Sequence, residues 1–130
     1  MGKYVAENVV KKLIAADISV KGAKIAILGF TFKENCPDCR NTKVADIVKA
    51  LNEYNLNIDI YDPWASPAIA KHEYDIDITN ELPTSKYDAV ILAVSHKEFA
   101  ELDVKAYGKE NHVIFDVKGF LDKEMVDGRL

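Results

Sequence analysis

The chain has very little of what most small-molecule chemistry announces itself with. Two cysteines, Cys36 and Cys39, exclude a disulfide framework, and the three histidines, His72, His96 and His112, are too scattered to complete a four-ligand zinc set with them. No metal site is expected. The longest apolar runs, such as Ala89 to Val94, fall far short of the roughly 20 residues a membrane span needs. Lys3, Glu7, Lys11 and Lys12 interrupt the first apolar stretch, so it does not read as a signal peptide, and the cytoplasm is the expected compartment. Cations are outnumbered, 17 against 21, and a net charge of −4 gives no electrostatic reason for a nucleic-acid partner. Also missing is the GxGxxG of a dinucleotide site: Gly29 is followed by Phe-Thr-Phe-Lys. No Ser-His-Asp set or paired-acid arrangement is legible, and no catalytic residue is assigned.

What remains is an ordinary globular composition, 48% hydrophobic and 29% charged over 130 residues, which fits a single core of common domain size. Lys3 to Ala16 carries Val5, Val9, Val10, Leu13 and Ile14 at helical spacing. Such a helix either covers the sheet or ends a longer element. Lys24 to Leu28 is a buried-type strand closed by Gly29. Val44, Ile47, Val48, Leu51 and Tyr54 form one helical stripe, which Asn41 or Thr42 can cap and Asn55 can stop.

Ile58 to Tyr61 is the second strand. Asp62-Pro63 reads there as a helix cap followed by a first helical residue, ahead of a short helix near Ser66 to Lys71. The 74–78 stretch suits an edge strand or an extended connector. Ala89 to Val94 and Val113 to Val117 are strands three and four, separated by the weakly helical 97–109 stretch. This alternation predicts an α/β, Rossmann-like open parallel sheet of order 2-1-3-4 with helices on both faces. Ligands bind such sheets at the switch point beside the carboxyl end of strand one.

That places the connection from Gly29 to Thr42, GFTFKENCPDCRNT, at the centre of interest. It is longer than the two to six residues such turns usually take. Lys33, Arg40 and, across the rim, Lys118 are able to hold phosphate oxygens, and Phe32 to wall a sugar or base. Solvation is the commoner fate of loop cations judged on residue type alone. Cys36-Pro37-Asp38-Cys39 has CxxC spacing, but it sits well past the strand end and Asp38 does not stabilise a thiolate, which weakens a redox reading. Asp62 lies farther from Gly29 than the roughly 20 residues a ribose-binding acid would, so capping is preferred. His96 reads as a surface residue, with a general base as the sharper alternative.

At GFTFKENCPDCRNTKVADIV, DIYDPW, YDAVILAVSHKEF and FDVKG, the chain resembles the carboxyl-terminal domain of the UDP-glucose/GDP-mannose 6-dehydrogenase family. The KENCPDxRNTK form is similar to the branch acting on UDP-N-acetylhexosamines for surface polysaccharides, the Vi-antigen type included. The resemblance implies a UDP-sugar-binding domain at residues 21–130. It makes residues 1–20 a helix leading from a central dimerisation region that is missing here. It implies a parent, a homodimer or higher, that oxidises the sugar C6 alcohol to a carboxylate with NAD bound mainly by a further domain. Phe32 and Lys33 would contact the UDP-sugar and Arg40 would reach toward NAD. Many relatives carry Asp-x-Arg where this chain has Asp116-Val117-Lys118, so a substrate contact at Lys118 is a departure from their pattern. Neither cysteine stands in the family's GxCxGxDP-like catalytic setting, and the chain alone is expected to be inactive. The rival readings are a flavodoxin-like receiver module, for which Ala93 and Gly29-Phe30 lack the acidic residues, and a CxxC redox protein.

Overall fold

The computed structural model describes residues 2–31, 33, 35, 42–100, 102–118 and 126–129. Five parallel strands form one sheet in the order β2-β1-β3-β4-β5. They are β1 (Lys24–Leu28), β2 (Asn57–Tyr61), β3 (Tyr87–Leu92), β4 (Gly108–Asp116) and β5 (Gly128–Arg129). The expected order 2-1-3-4 is present, with β5 added beside Phe115 and Asp116.

Alternation of side chains along each strand separates two cores. Ile25, Ile27, Ala89, Ile91 and Phe115 meet Val5, Val9 and Leu13 of α1 (Gly2–Ala15) and Ile47, Val48 and Leu51 of α2 (Val44–Asn52). Ala26, Leu28, Val90, Leu92 and Ile114 face the other way, toward Tyr61, Phe99 and Val104. The covering elements differ in kind. Two amphipathic α-helices lie on the first face, whereas among the described residues the second carries 3-10 helices at Lys97–Ala100 and Val104–Tyr107. Each fully buried Leu or Ile contributes roughly 1.5–3 kcal/mol, so both layers are needed to hold the sheet.

β1 and α1 follow the residue pattern closely, and Asn55, the expected stop of α2, has φ 59°. Asp62-Pro63 does not open a helix. Ser66 is the cap, its hydroxyl accepting from Ile69 N at 3.3 Å, and α3 runs Pro67–Tyr74. After Tyr74, which ends α3, the 75–78 stretch is a connector, and Thr79 beyond it forms a parallel bridge with Tyr61 of β2. β4 begins earlier than its apolar run, at Gly108, where it pairs with Tyr87 across an irregularity in register.

Candidate functional site

β1 ends at Gly29, whose φ of +100° is left-handed and whose added Cβ would stand 2.6 Å from the Val94 Cβ. A glycine is therefore required for the chain to turn out of the sheet against the end of β3. Thr31 follows, almost wholly buried, and its hydroxyl donates to the Lys33 carbonyl at 3.0 Å. At the far end of the connection, Thr42 Oγ1 accepts from Val44 N at 3.2 Å, next to the first turn of α2.

Between these points lies a cleft of about 320 Å³, lined by Thr31, Lys43, Val44, Ile47, Ala93, Val94, Val117 and Lys118. Its volume is in the range of small-molecule sites, roughly 300–1,000 Å³. The floor is apolar. Lys43, immediately before α2, and Lys118, just beyond β4, supply two exposed cations, and the positive end of the α2 dipole adds to them. Lys118 N donates to Asp116 Oδ1 at 3.0 Å, a short turn that sets where its side chain departs. A larger groove of about 550 Å³ runs beside β2, but Asp59, Asp77 and Glu81 line it and would repel a phosphate. The cation-flanked cleft is the candidate site.

Behind the cleft stands a buried polar cluster. Asp62, just past β2 and fully buried, takes Phe30 N at 2.6 Å and Thr31 N at 3.0 Å on Oδ2, and Trp64 N at 2.7 Å and Ala65 N at 3.1 Å on Oδ1. His96 Nε2 lies 2.9 Å from the same Oδ2 and 3.1 Å from Thr31 Oγ1. Its Nδ1 accepts from Asn35 N at 2.8 Å. Burial pushes the Asp62 carboxyl upward, but the bonds from His96, Phe30 and Trp64 outweigh it and hold the group below the usual carboxylate range.

Of the residues expected at this rim, Lys118 lines the cleft and Lys33 is an exposed neighbour joined to it through Thr31. Phe32, Arg40, Cys36 and Cys39 lie outside the described residues. Two readings are corrected. His96 is not a surface residue, since it has no solvent exposure and stacks on Trp64 at 6.0 Å. Asp62 caps a turn at Trp64-Ala65 instead of a helix, and simultaneously anchors Phe30 and Thr31. Residue type and spacing alone do not mark Lys43 and Thr31 as site residues. The length of the connection was the available signal for Thr31, and the start of the α2 stripe for Lys43. Among the described residues no three His, Cys, Asp or Glu side chains group as a metal site, and no helix is long and apolar enough to cross a membrane.

An open parallel sheet with a cation-flanked cleft at its switch point defines an α/β ligand-binding domain. The model of the UDP-glucose/GDP-mannose dehydrogenase family, UDP binding domain, matches residues 26–123, and the chain belongs to that family. Over its whole length it is 45% identical to the UDP-N-acetyl-D-glucosamine 6-dehydrogenase of Salmonella typhi, covering 31% of that protein. The enzyme of the same name from Pseudomonas aeruginosa is 46% identical, again over the whole chain and over 32% of its own length. The chain thus spans about a third of the curated relatives it matches. Its fold is that seen in an NDP-N-acetyl-D-galactosaminuronic acid dehydrogenase from Methanosarcina mazei. The TM-score there is 0.85 at 19% identity, covering 98% of this chain and 28% of the other.

Family membership implies NAD, and the residues in hand do not suit it. Gly29 serves the contact with Val94, no further glycine follows in the described turn, and Asp62 has its oxygens committed to backbone N–H groups and His96. The described part of this chain has no dinucleotide cradle.

Proposed function

We propose that the cleft holds the nucleotide portion of a UDP-sugar and that this chain is the UDP-sugar-binding part of an NAD-dependent nucleotide-sugar 6-dehydrogenase. The observation carrying the reading is that Lys43 and Lys118 both line one cleft with an apolar floor, beyond the carboxyl ends of β3 and β4. Two ammonium groups suit a pyrophosphate, which needs separated positive charges more than a single one. Identities of 45% and 46% to two UDP-N-acetyl-D-glucosamine 6-dehydrogenases support a UDP-N-acetylhexosamine as the substrate. The parent enzyme would convert the sugar C6 alcohol to a carboxylate, giving a UDP-uronic acid for polysaccharide biosynthesis in the cytoplasm.

In this reading Lys118 and Lys33 hold the substrate phosphates and Phe32 walls the sugar. Arg40 reaches toward NAD carried by another domain of a homodimeric or larger parent. Residues 1–20 lead from the central region and 21–130 form the binding domain. The chain alone would bind substrate without oxidising it.

Calorimetric titration of the chain with UDP-N-acetylglucosamine, UDP-glucose and GDP-mannose tests the assignment. The two UDP-sugars are expected to bind, GDP-mannose to bind more weakly, and Lys118→Ala to weaken the UDP-sugars. Absence of UDP-sugar binding, or identical affinities for Lys118→Ala and the unsubstituted chain, would overturn it.

A further inference from the structure

His96 is committed on both ring nitrogens. Because Asn35 N donates to Nδ1 at 2.8 Å, that nitrogen carries no proton, and the neutral ring must hold its hydrogen on Nε2. There it points at Asp62 Oδ2, 2.9 Å away, with Thr31 Oγ1 as a second acceptor. The Thr31 hydroxyl proton is used on the Lys33 carbonyl. Asn35 is in turn bound through its Oδ1 to Lys97 N at 2.7 Å, and it has a left-handed φ of 56°. A fully buried imidazole therefore joins the acid at the end of β2 to the backbone around Lys33.

We propose that His96 is a positioning residue for the UDP-sugar site, a proton-sensitive latch that ties Asn35, and with it the Lys33 segment, to Asp62. The proposal rests on the UDP-sugar reading of the cleft for its binding readout, while the latch itself is a matter of hydrogen-bond donors and acceptors. A second ring proton would go to Nδ1, setting N–H against N–H at Asn35. The bond to Asp62 would at the same time become charge-assisted. The ring keeps Asp62 and releases Asn35.

Other groups around the ring do not oppose this sequence. Trp64 and Phe99 supply apolar faces at 6.0 and 5.5 Å. Glu98 is engaged by Trp64 Nε1 at 2.9 Å, and the Lys97 ammonium sits 5.5 Å from the Trp64 ring. Among the described residues Asp62 is the carboxylate in direct contact. It is held ionised by the bonds described above, so it is ready to receive the charged ring.

The test is binding of UDP-N-acetylglucosamine to the chain at about pH 7.5 and at about pH 5.5. A sugar ester of the pyrophosphate keeps its charge there, unlike the terminal phosphate of UDP. Affinity of the unsubstituted chain should fall roughly tenfold across the interval, about the worth of one lost hydrogen bond. His96→Gln, which offers an amide N–H to Asp62 and a carbonyl to Asn35 but takes no proton, should bind as well at neutral pH and stay flat. A pH profile for His96→Gln that tracks the unsubstituted chain would overturn the latch. So would a His96→Leu variant binding as tightly as the unsubstituted chain.

Should His96→Leu fail to fold, ¹⁵N NMR of the unsubstituted chain decides. The Asn35 amide must move together with the His96 ring on acidification, and an Asn35 amide indifferent to the ring would sink the proposal. That measurement needs no ligand, so failure of UDP-sugar binding and failure of the latch are separately visible.

Discussion

The hydroxyl of Thr42 donates to the Phe30 carbonyl at 2.6 Å, tying the two ends of the connection between β1 and α2 inside the protein. The same oxygen accepts from Val44 N. One side chain thus satisfies a carbonyl leaving the sheet and an amide entering the helix, two groups that secondary structure leaves unpaired. Thr42→Val keeps the shape and removes both bonds. The expected loss is about 1–3 kcal/mol in urea unfolding, because a buried carbonyl goes unsatisfied. Thr42→Ser should recover most of it.

Lys43 precedes α2 and lines the cleft together with Lys118. Its side chain is exposed, so its charge is screened and its effect modest. Lys43→Ala is expected to weaken UDP-sugar binding roughly two- to tenfold by calorimetry, with a shallower dependence on salt than the unsubstituted chain. Melting temperature should hardly change. A drop in stability equal to the drop in binding would instead assign Lys43 to the architecture of α2.

Gly29→Ala places a methyl 2.6 Å from the Val94 Cβ and asks an L-residue to adopt φ of +100°. The backbone strain alone is of order 1–3 kcal/mol, before any clash. Denaturant unfolding should show at least that loss. Binding should fall as well, since the displaced Val94 lines the cleft.

Tyr87 donates its hydroxyl to Asp59 Oδ2 at 2.8 Å. Burial first, and then Asp59, push its pKa up to about 12. A proton held more tightly in the folded state stabilises the fold fully below the ordinary tyrosine value of 10.0, and that contribution is lost as pH rises toward about 12. Alkaline absorbance titration should find Tyr87 among the last of the six tyrosines to ionise. Tyr87→Phe should remove that late step and part of the fall in stability above pH 10.0.

Residue order revealed the sheet because its signals are local. Lys24–Leu28 is a continuous apolar run and the α2 stripe repeats within one helix, so neither needs a distant partner to be recognised. β4 was harder to bound. Lys109, Glu110 and Asn111 near its start are exposed and polar, and they lie in the irregular stretch between the pairing of Gly108 with Tyr87 and that of Val113 with Ala89. The site divided in the same way. Lys118 was visible as a cation at a strand end. The burial of His96 was not, because it depends on an acid 34 residues away whose oxygens also serve Phe30 and Thr31. Lone polar residues in loops read as solvated until the partner that buries them is known.

A sheet in which all strands run one way has two unlike rims. The cleft, Asp62 and His96 occupy one. On the other, Asp88 Oδ2 accepts from Lys24 N at 2.8 Å and from the Lys109 ammonium at 3.2 Å, near the exposed start of β4. This second rim is therefore the natural point of attachment for a fluorophore or a surface tether: a probe fixed near Asn111 would leave the ligand cleft uncovered, with the length of the strands between them.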